Sequence, residues 1–356
     1  MNPAMRINPA SVWLHGGDGA PDHDVVVSSR ARIARNVAGF PFVGRSTPAQ
    51  RTELLRLVQR TPFPPEWADG LLWVDLLNST DEDRQLLAER RLISRQFAQA
   101  DLPRAVAFSR DETVSIMVNE EDHLRLQSLL PGLRLEECLR RVRQLDESLE
   151  RHLDFAFSPR WGYLTACPTN LGTAVRLSVM VHLPALKITR EIEKVKNAAK
   201  DLHLAVRGFL GEGSETVGDL FQVSNQLTLG MTEEDLLERF AVGIVPSLLE
   251  YERVARRAIL ANDPVGLDDK IHRSLALLRA ARLLDVDESM RMLGRLRLGA
   301  AVGRLHGISL AAIDRLMLDL QPVHLRTVAL PDDRDPRLRA SRAAMIRRAL
   351  ANAEAS

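Results

Sequence analysis

The sequence predicts an α+β domain followed by a smaller all-helical domain, on three observations. Over the first two-thirds, short runs rich in Val, Ile, Phe or Trp alternate with helix-like segments. From about Glu250 the strand signals nearly vanish, and Leu, Ala and Arg recur at helical spacing. The composition is that of a globular chain: 356 residues, 45% hydrophobic and 27% charged, enough to bury a sizeable core. It excludes collagen, disordered and disulfide-scaffold classes.

The strand candidates, in order, are Asp24–Ser29, Leu71–Leu76, Arg104–Ser109, Val114–Val118 and Ala205–Leu210. Helices fall between them. Thr47 caps one entered at Pro48, a favoured first position for proline. Thr80 and Asp83 have capping-box spacing, with Asp in place of the usual Glu, and Thr232 and Asp235 repeat it. Pro131-Gly132 marks a turn ahead of a helix around Leu135–His152. Gly243 and Pro246 are expected to kink or split the stretch that follows Thr232. Ile271–Leu284, Ser289–Leu298, Leu310–Leu320 and Arg337–Ala351 read as amphipathic helices. A boundary near residue 255 divides the chain into an N-terminal segment (1–23), an α+β domain (24–255) and a helical domain (256–356).

Several function classes are disfavoured. No apolar run reaches the ~18 residues of a membrane helix, and MNPAMRINPASVWLHGG lacks the apolar stretch of a secretory signal. Two cysteines, Cys138 and Cys167, suit a reducing compartment such as the cytoplasm. A formal charge of +1 argues against bulk attraction to nucleic acid or anionic membrane. Only five lysines occur, so most positive charge is arginine, whose planar fork suits phosphate. There is no phosphate-binding G-x-x-x-x-G-K-[ST] loop, protein-kinase H-R-D or D-F-G set, HExxH, CxxC or G-x-S-x-G.

Four segments carry chemistry-bearing residues where core periodicity predicts otherwise. In SSRARIARN (28–36), Arg30 and Arg32 share a face of an extended chain, with forks ~6–7 Å apart that could grip adjacent phosphates. NEEDHLR (119–125) puts three adjacent acids at the end of a strand, where mutual repulsion serves no obvious structural purpose. GYLTACPTNLGT (162–173), leading to Arg176, sets Cys167 among small and turn-forming residues, as an accessible thiol favoured as thiolate by nearby arginine. RGFLGEGSE (207–215) has three glycines around two acids, as in a loop that closes over a substrate. Each also has a plain structural reading: a basic edge, an acidic turn, a buried inert cysteine, a surface turn.

Taken together and in this order, the four segments resemble the ATP:guanidino phosphotransferase family. FQVSNQLTLG (221–230), the helical C-terminal extension and the lack of a separate N-terminal helical domain place the resemblance nearest the bacterial protein-arginine kinase branch. The resemblance implies an antiparallel sheet flanked by helices, with ATP and a guanidinium meeting on the sheet. It implies that Arg30, Arg32, Arg125, Arg176 and Arg207 clamp the ATP phosphates, and that Arg91 contacts the nucleotide. It extends the ATP-binding set to Ser28, Ser29, Ala31, Leu177, Ser178, Val179, Met180, Gly208, Phe209, Leu210 and Gly211. Glu121 and Glu212 match the two catalytic carboxylates, Glu121 as base and Glu212 as loop-borne orienter, and Cys167 matches the reactive thiol. Mg²⁺ is expected to be held mainly by phosphates and water, with no protein metal ligand.

The chain departs from the family pattern in places. Ala174 and Leu177 stand where the family usually has Gly and Ala, and the bulkier Leu177 beside the phosphate clamp is expected to change the nucleotide fit. The branch's Arg-Asp-x-x-Arg-Ala motif for phosphoarginine is not intact. Aligning on Arg342 puts Leu338 and Arg339 at its Arg-Asp positions, whereas Arg334-Asp335 with Arg339 leaves one residue too many between them.

The implied activity is phosphorylation of arginine side chains on proteins with exposed arginine. Implied partners are Clp-type protease machinery, a stress-response repressor, an activator protein and a second copy in a homodimer, with no direct role for nucleic acid or membrane. A phosphoarginine-binding adaptor and a phosphagen kinase acting on a small guanidino compound are the alternatives.

Overall fold

Strands whose side chains alternate between a core and an open cleft form the centre of the molecule. The computed structural model describes residues 19–63, 67, 70–99, 101–208, 217–325 and 335–355. One sheet holds eight strands: β1 (Val26–Arg35), β2 (Leu71–Asp75), β3 (Ala105–Ser109), β4 (Val114–Val118), β5 (Leu124–Pro131), β6 (Val175–His182), β7 (Leu204–Gly208) and β8 (Leu220–Asn225). Their order is β2-β3-β4-β5-β1-β6-β8-β7, every pairing antiparallel. Antiparallel sheets tolerate one covered and one open face. Here the covered face carries Ala31, Ile33, Leu126, Leu177 and Val179, all fully buried.

The helix α3 (Leu135–Glu150) lies over that covered face, with Leu139, Val142, Leu145 and Leu149 at helical spacing among its buried residues. Cys138 sits in the same layer, and burial pushes its thiol up to about 12, where it is inert. Two shorter helices flank the sheet. In α1 (Pro48–Arg60) the Thr47 side chain accepts from Gln50 N, and the Gln50 side chain accepts in return from Thr47 N. In α2 (Asp81–Glu89) Thr80 accepts from Asp83 N at 3.1 Å.

The Thr232–Asp235 box also forms. Glu238–Ile244 then winds as a π-helix before α4 (Val245–Asn262), so the expected disturbance near Gly243 is a widened turn. The helices α5 (Pro264–Ala280), α6 (Val286–Ala301), α7 (Leu310–Asp319) and α8 (Pro336–Ala349) complete the C-terminal part. The helix expected to reach Leu284 stops at Ala280, and Asp285 begins the next by accepting from Glu288 N at 2.7 Å. A two-residue ladder, Leu305–His306 with Glu354–Ala355, adds a small extended element to that part.

The sequence boundary near 255 falls inside α4, which runs through it without a break. One apolar cluster is continuous from Val25 to Leu350. Buried charges join the two halves as well. Arg297, fully buried on α6, binds both carboxylate oxygens of Asp314 at 2.6 and 3.2 Å and the carbonyls of His23 and Asp24 at 2.8 and 3.0 Å. Glu252 on α4 accepts from Ala185 N and Leu186 N and pairs with Arg256 at 2.8 Å.

Candidate active site

The antiparallel register sorts the arginines. Arg32 lies opposite Gln127 on β5 and Arg176 on β6, and Arg30 opposite Leu129 and Ser178. Arg125 lies opposite Ala34, and Arg207 opposite Gln222. Directly paired residues share a face and side chains alternate along a strand. All five arginines therefore project from the open face into one cleft of about 940 Å³. Arg91, in the turn after α2, lines it too, as do Glu121 from the β4–β5 turn and Cys167 from the loop before β6.

Neighbouring side chains orient Arg30, Arg176 and Arg125. Arg30 donates to Gln222 Oε1 at 2.9 Å and Ser178 Oγ at 3.3 Å. Arg176 donates to Ser224 Oγ at 3.1 Å. Arg125 meets Glu120 at 2.8 Å and Glu121 Oε2 at 3.3 Å. Gln127 Nε2 donates to the Arg91 carbonyl at 2.7 Å, holding a residue whose φ of +61° is uncommon for a side chain of this size. The buried Nε of Arg32 has no hydrogen-bond partner.

The clustered cations repel one another. Burial, then Arg91, Arg176, Arg125 and Arg207, push Arg30 down to about 9. Burial with Arg30, Arg125 and Arg176 holds Arg32 well below its ordinary value, and burial with Arg95 brings Arg91 to about 10. A guanidinium still keeps its proton at neutral pH. These directions express an unsatisfied demand for negative charge, and the orphaned Arg32 Nε points to the same ligand chemistry: a polyanion with several oxygen acceptors.

The acidic turn and the cysteine loop are fastened together. Asp122, fully buried, accepts from Asn36 Nδ2 and Ala166 N, both at 2.7 Å. Asn36 Oδ1 accepts from His123 N at 2.9 Å. His123 Nδ1 accepts from Val37 N at 2.9 Å, so its Nε2 carries the proton donated to the Pro41 carbonyl. Burial lowers the pKa of this imidazole. A close backbone crossing fixes the base of the loop: a Cβ on Gly162 would fall 2.6 Å from the Gly172 carbonyl oxygen, and one on Gly172 2.6 Å from that of Thr228. Cys167 Sγ lies 3.0 Å from Thr169 Oγ1.

Other expected residues lie elsewhere. Ala31, Leu177 and Val179 face the core, because strand alternation turns them from the cleft. Leu177 therefore sits on the face of β6 opposite Arg176 rather than beside it. Ser29 Oγ donates to the Gly132 carbonyl at 2.8 Å and accepts from Arg134 N, a structural role. Ser28 and Met180 are paired with each other across β1 and β6 and buried, without lining the cleft, and Gly208 ends β7. Phe209, Leu210, Gly211, Glu212 and Arg334 lie outside the described residues. Asp335 caps α8 by accepting from Arg337 N at 2.8 Å, and Arg339 accepts from Leu284 N through its carbonyl. Arg342 is fully buried and donates to the carbonyls of Leu320 and Leu284 at 2.9 and 2.8 Å. None of these last three residues lines the cleft.

Gln127, Gln222 and Gln321 line the cleft and were not singled out from sequence. The first two stand on the arginine face of β5 and β8, a signal available only once those segments are read as strands. Ala174, where the family usually has glycine, also lines the cleft, at φ +55°. Among the described residues no group of three His, Cys, Asp or Glu side chains is placed to hold a metal ion, and no helix is long and apolar enough to cross a membrane.

Residues 69–255 match the ATP:guanido phosphotransferase C-terminal catalytic domain, and residues 264–356 the protein-arginine kinase McsB C-terminal domain. The chain is 40% identical over 352 residues to a protein-arginine kinase of Pelotomaculum thermopropionicum, covering 97% of each chain. It is 41% identical over 351 residues to that of Brevibacillus brevis, covering 96% of each. Among solved structures, the duplicated taurocyamine kinase of Schistosoma mansoni with transition-state analogue components superposes with a TM-score of 0.60 at 26% identity, over 75% of this chain and 40% of that one. A lombricine kinase shares the fold at a TM-score of 0.59 and 24% identity, over 71% of this chain and 72% of that one.

Proposed function

The chain belongs to the ATP:guanido phosphotransferase family, and from that premise we propose that it is an ATP-dependent kinase that phosphorylates arginine side chains of proteins. One observation carries the reading: five arginines from four strands of one sheet converge on one cleft that also holds Glu121 and Cys167. The match of residues 264–356 to the McsB C-terminal domain favours a protein acceptor over a small guanidino compound or a non-catalytic adaptor role.

Phosphoryl transfer needs neutralised charge and in-line placement more than covalent catalysis. In this proposal Arg30, Arg32, Arg125, Arg176 and Arg207 hold the triphosphate, with Arg91 at the nucleotide. Mg²⁺ accompanies ATP, neutralising phosphate charge and held mainly by phosphate oxygens and water. The acceptor guanidinium is a poor nucleophile while protonated. Glu121 removes that proton as the N–P bond forms and the bond to the ADP leaving group breaks. Glu121 is the exposed member of the acidic turn; it lines the cleft and meets Arg125 at 3.3 Å. Glu120 is buried, pairs with Arg125 and accepts from Ser94 Oγ at 2.8 Å, which leaves it a supporting part. Cys167 hydrogen-bonds the guanidinium from another side, and Glu212 orients it from the glycine-rich loop.

The division into 1–23, 24–255 and 256–356 belongs to the same proposal, with the last segment serving dimerisation and the binding of phosphoarginine or substrate. So do Clp-type protease machinery, a stress-response repressor and an activator as partners, which rest on the family resemblance. A cytoplasmic site is consistent with two free cysteines.

Incubation with MgATP and either a folded protein or free arginine, read by mass spectrometry for acid-labile phosphate, tests the reading. Phosphoarginine on the protein and little on the free amino acid is the expected result. Preferential labelling of free arginine would reassign the enzyme to small guanidino acceptors, and no labelling of either would leave only the adaptor role.

A further inference from the structure

The nucleotide side of the cleft is walled partly by the C-terminal helical region. Gln321, just beyond α7, is buried and lines the cleft beside Ala88, Glu89 and Arg91. Three residues on, His324 Nδ1 lies 2.8 Å from Glu89 Oε2, and Val323 N donates to Glu89 Oε1 at 3.2 Å. Both oxygens of one carboxylate are thus taken by a segment more than two hundred residues away in sequence. The pair is largely enclosed, with His324 and Glu89 side chains 12% and 9% exposed.

Glu89 is a poor choice for its position on local grounds. It is the last residue of α2, where the helix dipole disfavours negative charge. The same helix end is gripped on its other side, where Arg90 pairs with Glu112 at 2.5 and 3.0 Å in a buried contact. Arg91 follows at once, in the left-handed region, with its carbonyl held by Gln127. Two anchors therefore fix the residues just before Arg91, a cation that enters the cleft from a turn, where no strand register places it.

We propose that the Glu89–His324 clasp is a positioning device, through which the C-terminal region sets the placement of Arg91 and so the affinity for the triphosphate. Neither His324 nor Val323 lines the cleft; they act through Glu89. The inference rests on the functional reading above, since it takes ATP as the occupant.

The test is equilibrium ATP binding and steady-state kinetics on the full-length chain with His324→Ala and His324→Asn. An asparagine amide can stand where Nδ1 stands and still donate to Glu89. Expected are an ATP Kd and KM raised about 5- to 20-fold in the alanine variant, return to within about twofold in the asparagine variant, and a kcat within about twofold in both. An alanine variant with unchanged ATP affinity, or an asparagine variant as weak as alanine, would overturn the clasp. Should the alanine variant fail to fold, His324→Gln replaces it under the same criteria. A wild-type chain that bound no ATP would instead defeat the functional reading, which keeps the two failures apart.

Discussion

Arg32 shows how much one side chain contributes through its shape. Its fork lies between Gln127 and Arg176 across the strands, among cations that hold its proton affinity down, and its buried Nε lacks a partner. Lysine keeps the charge but not the planar array of donors. Arg32→Lys should weaken ATP binding by about 10- to 100-fold, the value of one charge-assisted contact of about 1.5–3 kcal/mol. Calorimetric titration checks this, and retained affinity would show that charge alone suffices. His123 is a second case. Burial lowers its folded pKa below the ordinary 6.5, so below that pH the unfolded chain binds more protons than the folded one. Its contribution to stability is present above 6.5 and lost as the pH falls toward its lower folded value. His182, lowered by burial and then by Arg297 and Arg256, acts in the same direction. The melting temperature should fall on acidification from about pH 7.5 to 5, and His123→Gln should remove part of that slope; a flat profile would contradict the neutral, accepting Nδ1.

Among the elements, the loop before β6 is the most demanding. Gly172 has φ +97° and faces the Thr228 carbonyl, while the Gly162 backbone crosses it closely. Gly172→Ala should destabilise the fold by about 1–3 kcal/mol. It should also lower kcat by about 10- to 100-fold through displacement of Cys167, as seen by comparing denaturant melts with turnover. Normal turnover in a folded variant would detach the loop from catalysis. Such elements were unevenly legible in the sequence. The caps at Thr47, Thr80 and Thr232 announced their helices because the signal is local. Strands β5, β6 and β8 carry a weaker signal, since arginine, glutamine and serine among their residues dilute the apolar content that marks a strand. Their polar alternation is itself the trace of a sheet with one functional face. Arg30 and Arg32 could be placed on one face from spacing alone, but their meeting with Arg176 and Arg207 needed the long-range register. The roles of Asp122 and Asn36 in fastening the acidic turn to the cysteine loop were invisible for the same reason.

At the scale of the whole molecule, the helical region and the sheet share one core and one buried charge network. Arg297→Ala would strand Asp314, a buried carboxylate whose remaining side-chain partner among the described residues is His23 at 2.9 Å. Such removals cost about 3–5 kcal/mol. Calorimetry should show one lowered transition spanning both halves; two separate transitions would mean that the halves fold independently. The same integration presents the arginine face, the acidic turn and the cysteine loop to one cleft, where the account assigns triphosphate binding to the cations and proton removal to Glu121. The most direct test is single-turnover transfer from labelled ATP to a protein substrate, with nucleotide saturating, for the wild type and Glu121→Gln. Equal ATP binding is expected, with a transfer rate about 10²- to 10⁴-fold lower in the variant. Transfer at a near wild-type rate would contradict it.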